Sequence, residues 1–257
     1  PYRRIALPMT WQAEADLWFR MPGGYFIGPQ PDGKPRFDSN PTSGSQVFSR
    51  IYGGRPPLPY VPGCEGVGRT ESGELVWVHG ADIGVKRNGC LAERVGVPGE
   101  ALLPVPEGVS PVLAGALGIA GLAGWLPLAW RARVHEGETV LVLGATGTVG
   151  LVAVQAARLM GAGRVVAAGR NEAGLERAAQ AGADETVRLG EEEDAERLRE
   201  ACGGGGPNLV VDPLWGPPLA AAVRAAAKGA RILTGGRRAD IQGNAVPVTM
   251  RVDFPEG

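Results

Sequence analysis

A regular alternation of strand and helix patterns in the second half of the chain constrains the fold more than any other feature. Short apolar runs typical of strands stand at residues 139–143, 164–168, 185–189, 208–211 and 230–234. Helical patterns separate these runs at residues 148–160, 171–181, 191–201 and 218–227. The pattern predicts an α/β fold in which helices cover both faces of a parallel sheet.

A glycine-rich turn joins the first of these strands to the first helix. Its residues are Gly144, Ala145, Thr146, Gly147, Thr148, Val149 and Gly150. Aligned on the pattern G-x-G-x-x-G, the turn has Ala145 at the first glycine position. Gly147 would let the backbone approach a pyrophosphate, Gly150 would let the helix pack on the strand, and the helix N-terminus would attract the phosphates. We therefore predict that this turn binds a dinucleotide. The alternative is a glycine turn kept only for tight packing.

The end of the second strand indicates which dinucleotide is bound. An Asp or Glu at this end would hold the ribose 2′-hydroxyl of NAD, but the chain has Gly169, Arg170 and Asn171 here. The guanidinium of Arg170 can form paired hydrogen bonds to a 2′-phosphate. We predict that these three residues contact the cofactor and that NADP is preferred over NAD. A solvent-facing arginine is the alternative, and Glu172 nearby leaves NAD open.

The overall composition excludes several classes of function. The length of 257 residues suits one or two domains, and a net charge of −1 provides no basic surface for a nucleic acid partner. Three cysteines lie far apart with no C-x-x-C motif, which excludes a disulfide scaffold and suits a reducing, cytoplasmic location. No Ser/His/Asp set is evident, so a hydrolase is not expected and the catalytic residue is left unassigned. Asp212 ends the fourth strand and is either a cofactor-side residue or a turn cap.

One uncharged stretch resembles a membrane span. From Val109 to Trp130 the chain carries no charged residue, which is long enough to cross a bilayer. Four glycines and two prolines interrupt the stretch. We interpret it as a buried pair of short helices in a core, and therefore predict no membrane partner. A membrane-anchored protein is the alternative.

Six segments match the motifs of one known family in order and in spacing. They are 59–68 (PYVPGCEGVG), 89–93 (GCLAE), 103–110 (LPVPEGVS), 119–125 (IAGLAGW), 137–150 (GETVLVLGATGTVG) and 212–216 (DPLWG). Through them, residues 59–236 resemble the zinc-independent quinone oxidoreductase branch of the medium-chain dehydrogenase/reductase superfamily.

The resemblance implies a domain organisation and an activity. Residues 59–115 would form a partial GroES-like, β-rich domain, and residues 116–236 a Rossmann domain that binds NADP. The implied reaction is hydride transfer from NADPH to a small-molecule quinone, enone or aldehyde. Members of the family often pair through sheet edges, which makes a homodimer the assembly to test.

The chain also departs from the family. Zinc-dependent relatives have His where Cys64 stands, and they have an upstream Cys and a four-cysteine lobe that this chain lacks, so we predict no metal. Relatives commonly carry Thr where Ala123 stands. Residues 1–58, an N-terminal segment rich in loop sequences, and the tail 237–257 match nothing in the family. A non-catalytic NADP-binding remnant, or a fusion fragment without a complete substrate domain, is therefore the alternative function.

Overall fold

The structure, a computed structural model, describes residues 2–6, 61, 63–84, 86–234 and 248–251. These residues fall into two compact units, which divide between Gly118 and Ile119. The sequence analysis expects a domain boundary between residues 115 and 116.

The first unit is built on a five-stranded sheet with the order β4-β1-β2-β3-β5. Its strands are β1 (Tyr2–Ala6), β2 (Glu65–Thr70), β3 (Leu75–His79), β4 (Arg94–Pro98) and β5 (Leu102–Pro104). All paired neighbours run antiparallel. Alternate residues of β3 and β4 point into one small core, where Val76, Val78 and Val97 are almost fully buried.

Strand β1 is a feature that the sequence analysis does not anticipate, because it treats residues 1–58 as a loop-rich segment. The strand pairs along its whole length with β4 and at its end with β2. Five residues without a clear period carry little strand signal of their own. Their pairing partners are about 60 to 90 residues away in the chain, where a local pattern cannot show them. The rest of the N-terminal segment, residues 7–60, lies outside the described residues.

The second unit contains the predicted α/β domain. Its six-stranded sheet has the order β11-β10-β9-β6-β7-β8. The strands are β6 (Thr139–Leu143), β7 (Arg164–Gly169), β8 (Glu185–Arg188), β9 (Leu209–Asp212), β10 (Arg231–Thr234) and β11 (Val248–Arg251). The helices between them are α2 (Thr148–Leu159), α3 (Glu172–Gln180), α4 (Asp194–Ala201) and α5 (Pro217–Ala225). Strands β6 to β10 pair in parallel, which confirms the predicted fold class.

Both faces of this sheet are buried. Val140 and Val142 of β6 point into one apolar layer, and Leu141 and Leu143 into the other; all four are fully buried. This double burial explains why β6, β7 and β9 are apolar along their length.

Strand β11 lies in the tail that the sequence analysis leaves unmatched. It pairs antiparallel with β10, with Arg251 opposite Arg231. The remaining tail residues, 235–247 and 252–257, are outside the described part of the chain.

The uncharged stretch forms the helix α1 (Pro111–Leu126), followed by a π-helical turn at Pro127–Ala132. The helix is kinked at Gly118, as expected for a pair of short helices. The expectation that it is buried is wrong, since Val112 is 82% exposed and Trp130 68%. The run Pro111–Ala132 is long and apolar enough to span a membrane by length and composition alone, a test that core helices also pass.

Candidate functional site

The glycine turn begins where β6 ends, at the carboxyl edge of the parallel sheet. Gly144 has a φ of +62°, and a side chain there would come within 3.0 Å of the Leu214 side chain. The backbone N–H of Ala145 donates to the carbonyl of Ala168 at 3.0 Å and so fastens the turn to β7. Ala145 itself is completely buried, which agrees with a small residue at this position.

Gly150 is required by packing. A Cβ atom there would lie 2.3 Å from the Gly144 carbonyl oxygen and 2.5 Å from Ala145 Cα. The first turn of α2 therefore lies directly against the glycine turn, and only glycine allows this approach. For Gly150 the tight-packing explanation is sufficient.

Gly147 is in a different position. It has an extended backbone, with a φ of −94° and a ψ of 168°, and immediately precedes α2. A Cβ atom at Gly147 would meet only the Gly144 carbonyl oxygen, at an ordinary contact distance of 3.6 Å. The fold therefore has room for a side chain at this position. Because the residue is glycine, the outer surface of the turn stays uncovered. Nor does any side chain cap the N-terminus of α2, and Thr148 is exposed beside it.

At the carboxyl end of β7 the three predicted cofactor residues have different surroundings. Gly169 is buried, and a Cβ atom there would lie 2.6 Å from Thr146 Cγ2, so these two residues pack together. Asn171 caps α3, because its Oδ1 accepts a hydrogen bond from the Gly174 N–H at 2.7 Å. Arg170 is exposed, and its guanidinium has no hydrogen-bond or ion-pair partner within the described part of the chain.

The register of the sheet places a second arginine at the end of the neighbouring strand. Arg188 at the end of β8 lies opposite Gly169 in the parallel register, and the N–H of Leu189 donates to the Gly169 carbonyl at 2.8 Å. The Arg188 side chain is exposed and, among the described residues, it also lacks a polar partner. Arg188 is not among the residues predicted from the sequence, because only the register of β7 with β8 places it opposite Gly169, the residue before Arg170.

Strand β9 ends beside β6 with a buried carboxylate. Asp212 is fully buried, and its Oδ1 accepts hydrogen bonds from the N–H groups of Leu214 and Trp215, both at 2.9 Å. Burial raises the pKa of the Asp212 carboxyl, and these two hydrogen bonds partly oppose the rise. The turn-cap interpretation of Asp212 is confirmed. The cap fixes Leu214 in its position against Gly144.

The described residues contain no group of three or more His, Cys, Asp or Glu side chains placed to hold a metal ion. Cys64 is exposed and Cys90 is buried. Burial is the main cause of the raised pKa of both thiols, and that of Cys90 reaches about 11.

Together these features lie at the carboxyl ends of β6, β7, β8 and β9. The chain proceeds from β6 to β7 and β8 on one side, and then crosses to β9 on the other side of β6. Open α/β sheets bind ligands at such a change of direction. The second unit therefore has the architecture of the doubly wound dinucleotide-binding proteins.

Comparison with known proteins supports one family for the matched part of the chain. The family described as zinc-binding dehydrogenase matches residues 148–252. Quinone oxidoreductase-like protein 2 of Mus musculus is 31% identical over 201 residues, which are 75% of this chain and 57% of that protein.

Two solved structures show the same similarity. The quinone oxidoreductase from Thermus thermophilus, solved alone and in complex with NADPH, is 38% identical with a TM-score of 0.56, over 68% of this chain and 54% of that one. An NAD-dependent alcohol dehydrogenase is 28% identical with a TM-score of 0.66, over 75% of this chain and 65% of that one. These matches support assignment of the matched part of the chain to the quinone oxidoreductase branch of the medium-chain dehydrogenase/reductase superfamily. It spans a little over half the length of the quinone oxidoreductase relatives.

Proposed function

We propose that the protein is an NADPH-dependent oxidoreductase that reduces a small-molecule quinone, enone or aldehyde. The observation that carries the proposal is the open surface at Gly147, where the fold has room for a side chain but the residue is glycine. A backbone that can be approached closely, next to an uncapped helix N-terminus, suits a pyrophosphate. The relatives named as quinone oxidoreductases support the class of acceptor.

The residues of the second unit fit the cofactor. The backbone of Gly147, Thr148, Val149 and Gly150 would hold the pyrophosphate, with Gly144, Ala145 and Thr146 shaping the turn. Gly169 and Asn171 would hold the end of β7 in place below the adenosine ribose. The bound cofactor supplies the hydride. The protein binds it, orients it and excludes water, and the catalytic side chain stays unassigned.

The preference for NADPH rests on Arg170 and Arg188. Two guanidinium groups without partners lie at adjacent strand ends, where an NAD enzyme would hold the ribose with a carboxylate. Charge-assisted hydrogen bonds from these groups would favour a 2′-phosphate. Because one similar structure is described as NAD-dependent, the preference needs a direct measurement.

The test is to measure binding of NADPH and NADH to the full chain, and then NADPH oxidation with a simple quinone. We expect tighter binding of NADPH and quinone-dependent oxidation. Binding without turnover would favour the alternative, a non-catalytic NADP-binding remnant or fusion fragment. If neither nucleotide binds, the proposal is wrong.

Further properties belong to the same proposal. We infer a cytoplasmic protein that acts without zinc, forms a homodimer, and has neither nucleic acid nor membrane partners. The near-neutral net charge of −1 supports the statement on nucleic acids, and Cys64 in place of the histidine of zinc-dependent relatives supports the absence of zinc.

A further inference from the structure

Trp215 has a backbone conformation that bulky residues avoid. Its φ is +63°, in the left-handed region where the Cβ atom of an L-residue crowds the backbone. Four described residues other than glycine have a positive φ, and Trp215 is the largest of them. A conformation of this kind persists only where the surroundings enforce it, and such residues cluster at functional sites.

The enforcing group is the buried carboxylate of Asp212. The N–H of Trp215 donates to both of its oxygens, at 2.9 and 3.2 Å, and the N–H of Leu214 donates to Oδ1. Leu214 is in turn held against the glycine turn at Gly144. Trp215, the residue with the strained backbone, therefore directly follows the residue that lies against the glycine turn, the proposed pyrophosphate site.

The indole ring of Trp215 is partly open to a ligand. The residue is 42% exposed. Within the described residues, the indole N–H has no hydrogen-bond partner and the ring stacks on no other aromatic side chain. The exposed part of the ring is therefore available to a bound molecule.

The place of Trp215 in the sheet indicates which part of a dinucleotide it would meet. Arg170 lies at the end of β7, on one side of β6, and Trp215 follows β9, on the other side. A dinucleotide spans the crevice with its pyrophosphate at the turn after β6. With the adenosine 2′-phosphate at β7, the nicotinamide half extends towards β9.

We propose that the Trp215 indole contacts the nicotinamide half of the cofactor and so positions it. This inference rests on the proposed function, since it presupposes a bound nicotinamide dinucleotide. A flat, partly exposed ring suits the flat nicotinamide ring, because aromatic rings gain from offset or edge contacts beyond the area that they bury.

The experiment compares two ligands on the full chain. NADPH carries the nicotinamide half, whereas 2′,5′-ADP has only the adenosine half with its 2′-phosphate. In Trp215→Gly we expect NADPH binding to weaken roughly tenfold and 2′,5′-ADP binding to stay unchanged. A thermal melt of each variant checks that it remains folded, and glycine is compatible with the positive φ at this position. Trp215→Phe should keep most of the NADPH affinity.

Trp130→Ala is the matched control. Trp130 is also exposed, but its π-helical turn is tied to the opposite edge of the sheet, where Ala132 accepts a hydrogen bond from Arg231 at the start of β10. This variant should bind NADPH like the unmodified protein.

Two results would overturn the inference alone. One is unchanged NADPH affinity in Trp215→Gly, and the other is an equal loss of NADPH and 2′,5′-ADP, which would indicate a damaged turn. If the unmodified protein binds neither ligand, the proposed function falls together with the inference.

Discussion

At the scale of single residues, the glycines of one turn have three different physical roles. Gly144 supplies a positive φ, and Gly150 supplies a contact that any side chain would block. Gly147 supplies neither, and its proposed role is at the surface that would face the ligand. A motif that looks uniform in the sequence thus separates into two structural positions and one position where the fold has room for a side chain.

Gly147→Val should abolish NADPH binding and leave the protein folded. The extended backbone accepts a β-branched residue, but glycine is preferred over valine at the residue that precedes α2, so the free energy of unfolding should fall by about 1 kcal/mol or less. NADPH titration and a thermal melt measure the two effects. Gly150→Ala is the contrasting variant, and it should lose about 1–3 kcal/mol of stability through overpacking. Normal NADPH binding in Gly147→Val would remove the dinucleotide interpretation of the turn.

Arg170→Ala should weaken NADPH binding about tenfold or more and leave NADH binding almost unchanged. A charge-assisted hydrogen bond to the 2′-phosphate contributes about 1.5–3 kcal/mol to NADPH binding. NADH has no 2′-phosphate, so the substitution removes no such bond from its complex. The measurement is the ratio of the two dissociation constants. Arg177→Ala, which removes an exposed arginine from the last turn of α3, is the control for net charge. Equal weakening of both nucleotides would make Arg170 a structural residue.

The buried Asp212 predicts a pH dependence of stability. Burial raises the carboxyl pKa above its usual value of 3.8 in the folded protein, so the folded state favours the protonated form. The stability that this group contributes is complete below that value and declines as the pH rises through the folded pKa. Asp212→Asn does not titrate at this position. Its stability relative to the unmodified protein should therefore be higher at pH 7 than at pH 4, as measured by denaturant unfolding at both values. The opposite trend would contradict the raised pKa.

At the scale of elements, the register of β7 with β8 matters most for the site. It places Arg188 opposite Gly169, although the two residues are far apart in the chain. The predicted helices and parallel strands agree with the structure closely, because the signals are local: a 3.6-residue period in the helices and continuous apolar runs in the doubly buried strands. The prediction that α1 is buried is wrong, because the apolar composition of a helix does not determine which other elements pack against it.

Arg188→Ala tests the contribution of this register. The substitution should weaken NADPH binding several-fold with little effect on NADH binding, because Arg188 is the second cation at the strand ends where we predict the 2′-phosphate. In the double variant with Arg170→Ala the two losses of NADPH affinity should not simply add, because two groups that bind one phosphate are coupled. If Arg188→Ala binds both nucleotides normally, then Arg170 acts alone.

At the scale of the whole molecule, Cys64 in place of the histidine of zinc-dependent relatives and the absence of a group of three or more candidate ligands among the described residues predict a protein without zinc. Elemental analysis of the purified full chain should find far less than one zinc per chain, and a chelator should not change its melting temperature. Stoichiometric zinc would contradict the prediction.

The sequence by itself determined the second unit's alternation of strands and helices, the position of the glycine turn and the candidate role of Arg170. These features depend on residues close together in the chain, where period and turn chemistry are local. Only the tertiary structure decided that β1 and β11 join the sheets, that Arg188 lies beside Arg170, and that Asp212 holds Trp215 next to the glycine turn. Each of these results from hydrogen bonds or contacts between segments distant in the sequence, or from a backbone conformation that the residue type alone would not predict.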